Sequence, residues 1–184
     1  MTATSQAMDE RTAADRVEGP SGLGGWLILP AIGLIVTPFR LMAYLLTDLL
    51  PIFQDGSWDF LTTPGTEAYH PMWAPVILFE LAGNLFFVVM AVVLIFLFFT
   101  KSHRFPRLMI VFLLSNLAFV FGDYALANTI PFVANMEADA EVYKEMARGI
   151  GGVAIWVPYF LVSKRVKNTF VKPGVDRGTL EAFD

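Results

Sequence analysis

The chain has 184 residues, 55% hydrophobic and 16% charged, with a mean hydropathy of +0.57; soluble domains carry about 25% charged residues, so one compact helical membrane unit is expected. A formal net charge of -4, with no basic tract interleaved with aromatics, excludes a nucleic-acid surface. The absence of cysteine excludes disulfides, thiolate metal sites, iron–sulfur clusters and cysteine nucleophiles.

Residues 1–22 are polar and lack apolar periodicity, which predicts a disordered tail. The apolar stretch that follows is too long for a signal peptide and contains Arg40, so the first span, about 24–50, is expected to stay in the membrane. The connection from Pro51 to Met72 is acidic and aromatic, with Trp58, Phe60, Tyr69 and His70 among prolines and glycines; it reads either as a functional loop, being longer than the usual connection, or as a lid on the bilayer surface, which the aromatics favour. The second span, 73–100, carries Glu80 as its one charge. A short basic loop leads to the third, 106–130, with Asn116 and Asp123 inside it. The fourth, 146–163, is the shortest: its apolar run from Ile150 to Val162 falls below the usual span of about 20 residues. A crossing is still expected, with Arg148 snorkelling at one interface and Lys164, Arg165 and Lys167 anchoring the other. Residues 171–184 form a second tail. The expected fold is thus all-α, a polytopic four-helix transmembrane bundle over residues 23–170.

Basic residues set the orientation, because short cytoplasmic loops keep the positive excess. Lys101, Arg104 and Arg107 lie between spans two and three, and Lys164, Arg165, Lys167, Lys172 and Arg177 follow span four. The connection Pro51 to Met72 has no Lys or Arg, and Pro131 to Ala147 has Lys144 against Glu137, Asp139, Glu141 and Glu145. Both termini are therefore expected on the cytoplasmic side of an inner membrane.

Arg40, Glu80, Asp123 and Arg148 all fall toward the outer ends of their spans, at one level. A charge inside a span costs about 2.5 to 3.5 kcal/mol on insertion scales and normally faces the bundle interior, paired. Helical periodicity agrees: Gly33, Thr37, Arg40 and Tyr44 share a stripe, Glu80 and Asn84 are one turn apart, and Asn116 and Asp123 two turns. Arg40, Glu80, Asn84, Asn116, Asp123 and Arg148 are the candidate residues. They form either an ion-paired core that fixes helix order or a substrate or proton site with Glu80 as the titrating group. No acidic relay continues toward the other side of any span, so a complete proton path is not visible. Pro30, Pro38 and Pro158 should bend helices, and Gly149, Gly151 and Gly152 should allow close helix approach.

Walker, GxSxG, HExxH and dinucleotide-binding motifs are absent. His70 and His103 fall on opposite sides of the expected topology, which excludes a bis-histidine haem, and His70 has no second histidine for a metal site. No metal and no cofactor is expected.

The run Gly22-Leu23-Gly24-Gly25-Trp26-Leu27-Ile28-Leu29-Pro30, the Glu80 and Asn84 pair, the Phe105-Pro106 turn after the basic loop, and the ending Ser163-Lys164-Arg165-Val166-Lys167-Asn168-Thr169-Phe170 resemble the domain of unknown function 2569 family. The resemblance implies a small bacterial inner-membrane protein with four helices and no assigned activity. The expected role is a non-enzymatic accessory or scaffold component of a membrane or envelope assembly, with the lipid bilayer and a membrane protein or second copy of the chain as partners. The alternative is a small carrier or lipid-handling protein with a polar cavity open to the outer side. A membrane enzyme using Glu80, Asp123 or His70 is the third reading.

Overall fold

The computed structural model describes residues 21–136 and 140–171, apart from the side chain of Glu141. The expected tails therefore lie almost wholly outside the described residues, as do Glu137, Asp139, Lys172 and Arg177. Every regular element described is helical. In chain order they are α1 (Gly25–Ile52), α2 (Ser57–Thr62), α3 (Trp73–Phe99), α4 (Phe105–Ala127), α5 (Pro131–Ala134), α6 (Ala140–Val162) and α7 (Lys164–Thr169).

Three of these, α1, α3 and α4, are long and apolar enough to cross a membrane. The 27 residues of α3 reach about 40 Å. The 23 residues of α6 match α4 in length, but its first half carries Lys144, Glu145 and Arg148, which lowers its apolarity. Ser163 ends α6: its backbone turns extended, and its hydroxyl caps α7 by accepting from the Val166 amide at 3.4 Å.

Proline shapes α1 in three ways. Pro30 lies in the first turn of the regular helix, where few amide donors are needed. Pro38 is internal, and just before it the Thr37 hydroxyl donates to the Gly33 carbonyl at 2.8 Å. Pro51 can neither donate to the Thr47 carbonyl nor accommodate it beside its ring, and the preceding turn, Leu45–Leu49, is widened to a π-helix.

Neighbours in sequence are neighbours in space: α1 packs on α3, α3 on α4, and α4 on α6. Leu27 and Leu34 of α1, Phe87, Ala91 and Leu94 of α3, Met109 and Phe112 of α4, and Phe160 of α6 belong to one buried cluster. Trp156 lies against it with its ring edge-on to Tyr159. Bare backbone at Gly83 lets α4 approach α3 closely: a Cβ there would come within 2.0 Å of the Phe119 ring, which also stacks on Phe79. Of the three glycines expected to admit a neighbour, Gly149 does so, its added Cβ lying 3.0 Å from Leu117; Gly151 and Gly152 face open space.

At one end the two extremes of the helical region meet. The Gly22 amide donates to the Thr169 hydroxyl at 2.9 Å, and the Arg165 guanidinium reaches the Ser21 carbonyl at 3.3 Å. Gly25 has φ of +59°, and a Cβ there would press on the guanidinium at 3.2 Å, so both conformation and space favour glycine. Phe170 continues the joint between Phe98 and Phe105, with ring centroids 6.1 and 4.8 Å away.

Candidate functional site

The polar residues of α1, α3, α4 and α6 gather at the opposite end from this joint. Arg40 and Tyr44 lie one turn apart on α1, so they project from the same face. They serve different neighbours. Arg40 donates from Nη2 to Oε1 of Glu145 on α6 at 3.0 Å, with 53% and 49% of the two side chains exposed. Tyr44 donates its hydroxyl to Oε1 of Glu80 on α3. The first helix is thereby linked by polar side chains to both α3 and α6.

Glu80 receives local support from Asn84, whose Nδ2 donates to the Glu80 carbonyl at 2.8 Å. Asn84 itself is buried, and this back-bond satisfies part of its amide inside the helix packing. On α4, Asp123 brings a second carboxylate within electrostatic reach of Glu80 and Glu145. Its Oδ1 is buried and accepts no hydrogen bond among the described residues. Asn116 and the exposed Arg148 take no described hydrogen bond or ion pair.

Of the six candidates, the structure thus brings Glu80, Asn84 and Asp123 together and connects Glu80 to α1 through Tyr44. Arg40 pairs with Glu145 instead of with Glu80. Tyr44 is visible in the sequence on the Arg40 stripe, but its own role needs the register between α1 and α3. Glu145 lies in what reads as an acidic connection. The signal that could have found it is helix propensity, since Ala, Glu, Lys and Met hold six of the eight positions 140–147 and extend α6 well before its apolar run.

Neither of the two principal clefts includes any of the six. One, of about 220 Å³, is apolar and lies between α1 and α3, bounded by Met42, Leu45, Leu46 and Leu85 among others. The other, of about 470 Å³, lies at the far end beyond Phe96. No three His, Asp or Glu side chains among the described residues converge as metal ligands. In the acidic connection, the Trp73 indole donates to the Ala68 carbonyl at 3.1 Å and Phe53 stacks on Trp58 at 5.0 Å, so the aromatics fasten the loop to the end of α1 and the start of α3.

Residues 20–171 match the sequence profile of a family described as Protein of unknown function (DUF2569). No curated protein and no solved structure matches the chain.

Proposed function

The chain belongs to the DUF2569 family, and we propose that it is a four-span inner-membrane protein, cytoplasmic at both ends, that acts without catalysis as an accessory or scaffold component of a membrane assembly. The observation that carries this reading is the mutual pairing of the polar side chains. Tyr44 engages Glu80 and Arg40 engages Glu145, which commits these groups to holding helices in register, while Asn84 spends its amide within its own helix. The charge pattern supports the topology, with Lys101, Arg104, Arg107, Lys164, Arg165 and Lys167 at one end and the acidic connections at the other. In this reading α6 crosses as the fourth member of a helical bundle, its polar first half extending beyond the apolar layer.

One observation favours the rival reading, a small carrier or lipid-handling protein. The buried Asp123 Oδ1 accepts no hydrogen bond among the described residues, as the oxygen of a ligand site would before its ligand arrives. Purification of the tagged full-length protein from its native membrane in mild detergent, with mass spectrometry of what accompanies it, separates the two. A protein at fixed stoichiometry supports the scaffold; isolation with a single small molecule, lost on Asp123→Asn, supports the carrier.

A further inference from the structure

The turn between α3 and α4 has a backbone that its sequence does not favour. The Ser102 amide donates to the Leu97 carbonyl at 2.9 Å and the Lys101 amide to the Phe98 carbonyl at 3.0 Å. This is a Schellman ending, which places Lys101 in the left-handed position at φ of +51°, where glycine is the usual residue. Lys101 is the only described non-glycine residue with positive φ. A side chain retained where its own backbone is strained points to a use for that side chain.

The surroundings indicate the use. Lys101 helps to line the cleft of about 470 Å³, together with Phe96, Leu97, Thr100, Ser102, His103 and Val171. That volume lies in the range of small-ligand sites, about 300 to 1,000 Å³. Three donors border it. The Lys101 ammonium and the His103 imidazole have no described partner. The Ser102 hydroxyl accepts from the Arg104 amide at 3.4 Å, which leaves its own hydrogen free to donate. The Thr100 hydroxyl instead spends its hydrogen on the Phe96 carbonyl at 2.8 Å. Phe96, Leu97 and Val171 are apolar, and Phe96 is largely exposed on the helix that crosses the apolar layer.

The geometry points to a binding seat for the phosphate headgroup of an anionic phospholipid, with Lys101, Ser102 and His103 holding the phosphate and Phe96 and Leu97 meeting the start of the acyl chains. A free phosphate offers the same donors the same oxygens, but leaves the apolar wall unused. Arg104, Arg107, Lys164 and Lys167 at the same end add a positive field that concentrates anionic headgroups there. The seat is independent of the scaffold reading, since it lies at the other end from the paired polar residues.

The test is native mass spectrometry of the full-length protein in detergent, titrated with phosphatidylglycerol or phosphatidylcholine. Wild type should retain one phosphatidylglycerol in preference to phosphatidylcholine. Lys101→Gly should weaken that retention about fivefold, as expected for one charge near a headgroup, and should melt no lower than wild type because glycine suits the turn. Lys101→Asn, which also tolerates the left-handed conformation, should show the same loss and serves if the glycine variant melts early. Lys144→Gln, at the opposite end of the molecule, should bind as wild type does. Unchanged retention in both Lys101 variants, equal retention of the two lipids, or displacement of the lipid by millimolar inorganic phosphate would each overturn the assignment.

Discussion

Arg40 and Glu145 are each about half exposed, and an ion pair in such surroundings contributes on the order of 0 to 1 kcal/mol. Replacing Arg40 by Met is therefore expected to lower stability by no more than about 1 kcal/mol. Because the partner is Glu145, Glu145→Gln in that background should restore most of the loss, and Glu80→Gln should not; thermal melts of the single and double variants in detergent check both. Tyr44→Phe removes a bond between two helices and should cost about 0.6 kcal/mol, the measured average for interhelical polar contacts in membranes, and no more than about 1.7. Asp123 is expected to behave in the opposite sense. Its buried oxygen is desolvated without a compensating bond, so Asp123→Leu should melt at or above wild type; a lower melting temperature would show that the carboxylate has a partner beyond the described residues. Arg40, Glu80 and Asp123 stand out in the sequence because they are charges within apolar runs, whereas Tyr44 and Glu145 do not. The pairing was not legible, because it depends on the rotation and relative height of each helix, and apolar stretches rich in Leu, Val and Phe leave both open.

Between elements, the α3 and α4 contact turns on Gly83. Gly83→Ala forces its methyl into the Phe119 ring and should cost about 1 to 3 kcal/mol, whereas the same change in a Phe119→Ala background should cost little; a double-mutant cycle measures the coupling. Outside the apolar layer, the Ser57 amide donates to Asp55 Oδ1 at 2.9 Å at the start of α2. Hydrogen bonds from Ser57 hold the Asp55 carboxyl below the usual carboxylate range. The carboxylate form is the one stabilised, so this bond is complete above the ordinary Asp range, about pH 4, and is lost as pH falls further. Fluorescence of Trp58, stacked on Phe53, should report the loosening, and Asp55→Asn should remove its pH dependence. The elements themselves were mostly legible: α1, α3 and α4 follow from long apolar runs broken by no more than two charges each. The early start of α6 was hidden because its first turns are polar, and the π turn of α1 because proline marks a disturbance without saying how the preceding turn absorbs it.

Across the whole molecule, basic residues collect where α3 passes to α4 and α6 to α7, and carboxylates collect beyond the other ends. A cysteine-free chain makes the implied sidedness directly measurable. With single cysteines placed at exposed positions, Thr63→Cys, Thr129→Cys and Asn135→Cys should react with a membrane-impermeant thiol reagent on intact cells, and Lys164→Cys only after lysis; labelling of Lys164→Cys on intact cells would remove the fourth crossing. The segments that carried the family resemblance, Gly22 to Trp26 and Ser163 to Phe170, prove to touch each other, a relation that no local pattern in either segment announces. That joint also orders events in time. Gly22 and Thr169 stand 147 positions apart, and at synthesis rates of about 5 to 20 residues per second the first helix waits on the order of 10 s for its partner to leave the ribosome. During that interval its opening glycines have nothing to hold. A chain interrupted before Arg165 would keep all three of its most apolar helices yet lack every group that closes this joint.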